Sequence, residues 1–402
     1  SGSRQDMVTR GAKANLVVPE AVRAWQVARD VAQLALVTAV ALMLWTGSPP
    51  SAFGGAALAT APLARVHGNS SASAALAAAP ASMLANVWAA CVREPVEAAS
   101  AVVIFFVSLS AMGNSPVGWA ASVFLFSYDA TSWAAAVAHV AAPFGVYWRE
   151  GLGVMIWIGM CVLYAAHGLL LLPLDVWRWP GSLADLKLQK DKRIDIAKLP
   201  KVARVCAFNL LLVLPYTILL IAVTRATGGR YGVQFGGPFP SKREQLAQFA
   251  LLLLVDEVLF FYSHWAMHSP ALYARVHKRH HEFTAPLALT AIYAHPVEFI
   301  VCNLVPFSIG FVPLRTPDYF AAVWVVCAVL GTQTHHSGYR FPWVAFPDQQ
   351  PFFHDYHHAK FNCNYGNVGL LDWLHGTDRQ YKAELAKQAA RDAAVRTKLM
   401  KS

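Results

Sequence analysis

Twelve of the fifteen histidines fall between His264 and His375. They form words: His264-Trp-Ala-Met-His268, His277-Lys-Arg-His280-His281 and His354-Asp-Tyr-His357-His358, with His295 and the pair His335-His336 between them. On a helix, residues three and four apart share a face, with Cβ atoms about 5–6 Å apart. HxxxH therefore aims two imidazoles at one point, and HxxHH adds three more. A lone histidine is ordinarily a hydrogen-bonded core or interfacial ring, and His67, His139 and His167 are read that way. Eight clustered imidazoles need a common partner, and a metal is that partner. Imidazole alone does not choose among Zn, Cu, Fe and Ni. One catalytic zinc takes three protein ligands, whereas eight to ten histidines suffice for two metals.

Other metal chemistries lack their words. The zinc-protease HExxH is absent, as is any CxxC pair among the six cysteines, and Cys363 in Asn-Cys-Asn offers no haem signature. Soluble dinuclear bundles rely on carboxylates. Here Asp256 and Glu257 lie two turns before His264, and they are expected to orient imidazole N–H groups. No GxGxxG occurs, so a reductant must come from a partner.

The elements that must hold these histidines are membrane helices. The 402 residues are 56% hydrophobic and 14% charged, against about 25% charged in soluble proteins. Residues 98–128, 151–174 and 205–224 carry no Asp, Glu, Lys or Arg, and a crossing needs about 20 apolar residues. Disordered, fibrous and disulfide-stapled classes are excluded. The net charge of +10 is assigned to loops on the cytoplasmic side rather than to nucleic acid. Residues 175–204, with eight Lys/Arg against four Asp, are the foremost such loop. Crossings are expected over Leu152–Leu174, Val205–Thr224 and Gln245–Tyr262. A hairpin over Phe299–Val312 and Phe320–Thr334 should return to the side it left. Val31–Trp45 reads as a first membrane helix or signal anchor, and Ser51–Ala90 as an Ala/Ser-rich connector. Ala98–Met112, Val117–Ser127 and Trp133–Tyr147 are further apolar runs whose crossings the sequence does not count. The division expected is an N-terminal region, 1–150, a catalytic membrane domain, 151–382, and a basic tail, 383–402.

The order HxxxH, HxxHH and late HxxHH resembles the fatty-acid hydroxylase/sterol desaturase superfamily of membrane di-iron enzymes. The words His277–Pro286, Tyr293-Ala-His-Pro-Val-Glu298, His336-Ser-Gly-Tyr339, His354–His358 and Asp372-Trp-Leu-His-Gly-Thr-Asp378 are similar to those of the C-4 methylsterol oxidase branch and of fatty-acid-hydroxylase-domain-containing proteins. Phe341-Pro-Trp343 and Lys360-Phe-Asn-Cys-Asn364 are similar to cholesterol 25-hydroxylases. The likeness runs from about Leu174 to Tyr381. Trp265 departs from it, since relatives usually carry Arg there.

The resemblance implies an all-α polytopic integral membrane protein with a histidine-rich di-iron site in a cytoplasmic helical cap. It implies metal ligands at His264, His268, His277, His280, His281, His336, His354, His357 and His358, with His295 as a tenth. Asn364 is expected to hold a metal-bound water, while His335 and His375 are not counted as ligands. Two Fe ions, O2 as co-substrate, and electrons from NAD(P)H through cytochrome b5 or a similar carrier follow from the same likeness. So does an endoplasmic reticulum membrane location. The expected substrate is a 4-methylsterol, oxidised at its C-4 methyl group, with a fatty acyl chain, sphingolipid or sterol side chain as the alternative. Aromatic residues beside the words (Phe260, Phe261, Tyr262, Trp265, Tyr293, Tyr339, Trp343, Phe352 and Phe353) are expected to line the cleft. A metal transporter would place its ligands at the bilayer midplane, and a silent scaffold would be expected to have lost ligands.

Overall fold

The computed structural model describes residues 38–42, 87–113, 116–341 and 350–400. Most of the Val31–Trp45 run, the Ser51–Ala90 connector up to residue 86, and Trp343 lie outside the described residues. Among those described, the chain is helical, and its only strand-like pairings are two isolated bridges, Lys187 with Tyr339 and Gln234 with Pro317.

After short helical stretches at 38–42 and 87–93, the main helices are α1 (Pro95–Ala111), α2 (Pro116–Phe126), α3 (Ala130–Ala141), α4 (Trp148–Val176), α5 (Leu199–Ala226) and α6 (Lys242–Met267). Then come α7 (Pro296–Leu314, with a π-helical stretch at Phe299–Leu304), α8 (Asp318–His335), α9 (Phe352–Lys360), α10 (Leu370–His375) and α11 (Arg379–Met400). Among the described residues four segments are long and apolar enough to cross a membrane: Ala130–Val176, Ile196–Ala226, Lys242–Met267 and Pro296–Leu314. Their outward faces carry bare apolar side chains such as Val162, Leu170, Leu211 and Leu254, as lipid-facing helices must.

Local chemistry sets the helix starts. Ser241 and Glu244 form a reciprocal capping box at α6, Oγ accepting from Glu244 N and Oε2 accepting from Ser241 N. Asp129 and Ser132 do the same at α3. Trp133 Nε1 in α3 donates to Asp318 at 3.0 Å, so the Trp133–Tyr147 run starts against the end of the bundle where α8 begins.

Two sets of backbone bonds define the ends of the bundle. At one end Gly232 N donates to Val312 O and Gln234 N to Thr316 O, tying the α5–α6 loop to the turn between α7 and α8. At the other, Leu188 N donates to Gly338 O, and the α4–α5 loop lies against the chain leaving α8. The end of α6, the start of α7 and the end of α8 all meet there, so the α7–α8 hairpin leaves and returns as its hydrophobic pattern required.

The described part of residues 1–150 packs into this same bundle. Ile104, Phe105 and Leu109 of α1 share a core with Phe249, Leu252 and Phe320. Gly331 of α8 allows the approach of α1, because a Cβ there would strike the Ala111 carbonyl oxygen. His167, expected to be structural, donates from Nδ1 to Gln333 Oε1 at 3.0 Å, since the Gln333 amide is already given to Tyr164 O.

Candidate metal centre

Nine histidines converge at the end where α6, α7 and α8 meet. His264 and His268 come from the end of α6, and His277, His280 and His281 from the 3-10 turn that follows. His336 caps α8, and His354, His357 and His358 share one face of α9. Their ring nitrogens fall into two groups: His264, His268, His277, His281 and His357, and His280, His336, His354 and His358. Within each group the nitrogens lie within 4.8 Å of one another.

Four of the rings have their tautomer fixed by the backbone. Nδ1 of His264 faces Tyr365 O at 2.7 Å, that of His336 faces Thr332 O at 2.8 Å, that of His357 faces Cys363 O at 2.6 Å and that of His358 faces Phe283 O at 3.1 Å. A carbonyl only accepts, so each Nδ1 carries the hydrogen and each neutral ring turns a bare Nε2 lone pair inward. His354 Nε2 stands 2.8 Å from His336 Nε2 and 3.1 Å from His358 Nε2. It can donate to one of these lone pairs at most, so the other faces a nitrogen with no hydrogen between them, a repulsive contact. A cation between the rings removes that repulsion. Two nitrogens about 2.1 Å from a metal and at right angles around it stand about 3.0 Å apart. The Nε2 separations between neighbouring rings in both groups, 2.8–3.4 Å, match this spacing. The donor set fits a metal in each group.

Burial and then the surrounding imidazoles hold His354, His357 and His358 far below the ordinary imidazole value, and His268 is pushed down to about 2. The rings are thus neutral at pH 7, which is the metal-binding form.

The supports differ from those expected. Asp256 and Glu257 touch no imidazole N–H. Asp256 accepts from Asn367 Nδ2 at 3.0 Å, and Glu257 accepts the backbone N–H of Asn367, Val368 and Leu371. They act one step away, holding the chain that presents the Tyr365 carbonyl to His264. Asp372 completes that hold by accepting Tyr365 N and Gly366 N.

The α4–α5 loop straps three of the histidine-bearing segments. Lys187 Nζ, nearly fully buried, pairs with Asp175 at 2.7 Å and donates to Pro286 O and Ser337 O. Gln189 Nε2 donates to Thr284 O at 2.7 Å and reaches the Asp355 carboxylate at 3.1 Å. The turn after His281, the residue after His336 and the helix of His354–His358 are thereby joined.

The structure does not bring His295 or Asn364 into either group. His295 Nδ1 accepts from Val297 N and caps the start of α7. The residue of its word that reaches the histidines is Glu298, whose Oε1 lies 2.8 Å from His277 Nδ1. The histidine spacing does not point to Glu298, although its carboxylate stands three residues after His295 in the same word. Asn364 sits in a left-handed turn, with its Nδ2 donating to Phe353 O at 2.9 Å. His335 stands beside the groups without joining either, and His375 stacks on Phe261 and bonds Tyr262. Trp265 lies half-exposed against Tyr365 and His375.

A cavity of about 650 Å³ runs from Asp318 along the whole of α8 to His264, His280, His336 and His354. Its size is that of a small-molecule site. Of the aromatics expected to line it, only Phe260 does so among the described residues; the wall is instead made by Trp157, Tyr216, Phe249, Phe307 and Trp324 from the membrane helices. The other described members lie off the cavity: Tyr293, for example, gives its hydroxyl to Glu282 at 2.7 Å.

Membrane-length helices closed by a buried polyhistidine cap define a multi-pass membrane protein with two histidine groups able to hold a metal. The chain belongs to the fatty acid hydroxylase family, whose profile matches residues 249–377 and takes in all nine clustered histidines. It is similar to methylsterol monooxygenase 2-2 of Arabidopsis thaliana (32% identical, covering 50% of this chain and 77% of that one). A very-long-chain aldehyde decarbonylase, GL1-8 of Oryza sativa subsp. japonica, is 31% identical over 54% of this chain and 81% of its own. Fatty acid hydroxylase domain-containing protein 2 of Homo sapiens is 34% identical over 55% of this chain, which spans 65% of that relative's length. No solved structure matches.

Proposed function

We propose that the chain is a membrane di-iron monooxygenase that oxidises a C–H bond of a sterol, the C-4 methyl group of a 4-methylsterol being the preferred target. The observation that carries this reading is the apolar cavity ending on histidines of both groups. The nine clustered histidines are the proposed ligands. His295 and Asn364 lie outside both groups: His295 Nδ1 accepts from Val297 N and Asn364 Nδ2 donates to Phe353 O, while Asn364 Oδ1 is buried without a hydrogen-bond partner.

Bound iron would supply the oxidising power that no side chain has, activating O2 for insertion into an unactivated C–H bond. The overall change balances as RH + O2 + 2 e⁻ + 2 H⁺ → ROH + H2O. The electrons come from NAD(P)H through a carrier such as cytochrome b5. The chain's own part is to present neutral nitrogens, to fix four rings through backbone carbonyls, and to deliver an apolar substrate from the bilayer through a cavity that excludes bulk water. Positive loop charge supports a histidine end on the cytoplasmic side; the proposed location is the endoplasmic reticulum membrane, within reach of a soluble carrier domain.

A second substrate class has an observation of its own. The cavity follows all 18 residues of α8, about 27 Å at 1.5 Å per residue, and that length suits an extended acyl chain. Lipid profiling of cells with and without the protein separates the two. A rise in 4-methylsterols on loss supports the sterol reading. Constant sterols with a fall in hydroxylated acyl chains replace it with the acyl reading.

A further inference from the structure

Glu298 is a buried acidic residue, 3% exposed. Its two oxygens have different surroundings. Oε1 lies 2.8 Å from His277 Nδ1, while Oε2 is buried with no hydrogen-bond partner. Glu298 also lines the cavity, at the end where His264 and His280 line it. A buried acceptor left unmade costs about 1–3 kcal/mol, and more when charged, so native chains rarely keep one without a use. Glu298 borders a space sized for a ligand, and a buried oxygen left without a partner can pair with a ligand's hydroxyl.

We propose that Glu298 Oε2 is a hydroxyl-binding subsite: it accepts a hydrogen bond from a substrate hydroxyl and fixes the carbon beside that hydroxyl against the histidines. The proposal rests on the oxygenase reading above and deepens it. A 4-methylsterol carries its only ring hydroxyl on the carbon next to the one bearing the methyl group. A hydroxyl held by Glu298, whose other oxygen already adjoins His277, leaves that methyl at the histidine end, while the apolar rings and tail run along α8. A substrate without a hydroxyl near its reacting carbon leaves the oxygen unpaired and is disfavoured.

The test is equilibrium binding to the purified full chain in detergent, using two probe pairs: a 4-methylsterol against its 3-deoxy analogue, and octadecanol against octadecane. The wild type is expected to favour a hydroxylated member by about tenfold or more. E298L should cut that preference to less than about twofold, leaving binding of the deoxygenated member and the iron content unchanged. If E298L loses its iron or its fold, E298Q decides, since it keeps the shape and gives up the charge. A preference reduced severalfold supports the subsite, and an unchanged one overturns it. Equal binding within both pairs by the wild type, or a preference that survives E298L, also overturns it. A Glu298-dependent preference seen in the alcohol pair alone keeps the subsite and removes the sterol reading.

Discussion

Glu257 Oε2 accepts the backbone N–H of Val368 at 2.7 Å, across 111 positions of sequence. The same side chain takes Asn367 N and Leu371 N, so one buried acidic residue within α6 closes the turn before α10. Replacing it with alanine strands three backbone donors at about 1–3 kcal/mol each. Glu257→Ala is expected to destabilise the protein by at least about 3 kcal/mol and to release iron, because the carbonyl that orients His264 belongs to the same loop. Thermal unfolding in detergent, with iron analysis of the same samples, checks both effects.

The grouping of the histidines makes a metal prediction. His357→Ala removes a nitrogen from the first group and His354→Ala one from the second. Each should lower iron from two per chain to one or fewer and abolish oxidation. His295→Ala, which costs only a helix cap of about 1 kcal/mol, should keep both irons. Elemental analysis of protein purified without added metal decides it, and a single zinc surviving all three changes would refute the di-iron proposal.

Acid should open the site in a defined range. Free histidine titrates near 6.5, while burial holds His268, His354, His357 and His358 below that in the native state. Below pH 6.5 the unfolded chain therefore binds more protons than the folded one, and stability falls as pH falls. The unfolding temperature of metal-stripped protein should be level above about pH 7 and drop steadily from 6.5 to 4. A level profile throughout would mean that the rings are not held neutral.

Lys187 gives a prediction about the strap. Breaking a buried ion pair by removing one partner costs about 3–5 kcal/mol, and Asp175 and Lys187 are both under a tenth exposed at their side chains. Lys187→Met should cost that much and loosen the segments around His281 and His336. Adding Asp175→Asn should return part of the loss, since the stranded charge goes with it. A double-mutant cycle on unfolding free energy measures the coupling.

The membrane helices and the nine clustered histidines were legible because each leaves a local trace, a charge-free run or a spacing of three and four. The supports were not, because they join positions far apart. Nothing near Lys187 in the sequence points to Ser337, 150 residues on. The Tyr-Ala-His-Pro-Val-Glu word was recognised as a unit but misread in part. Structure divides it among Tyr293 on Glu282, His295 on the α7 cap and Glu298 beside His277. Likewise His-Ser-Gly-Tyr combines a clustered ring at His336, a carbonyl at Ser337 for Lys187 and a hydroxyl at Tyr339 for Asp175. The aromatic lining was misplaced for a related reason. Neighbours in sequence of the histidine words lie around the cap, whereas the cavity walls come from α4 to α8.

The closing of the α10 turn by Glu257 also bears on how the molecule is made. Every crossing helix precedes residue 336 in the chain, but both histidine groups need α9, and the hold on His264 needs Asp372. During synthesis the spans are therefore inserted before either group has its full complement of rings. A nascent chain stopped before residue 352 has its transmembrane body but lacks three of nine nitrogens, which leaves unoccupied imidazoles in the half-built cap. The stretch from α9 through Asp372 is thus what completes both histidine groups on an inserted bundle, so the proposed metal loading waits until α9 has emerged.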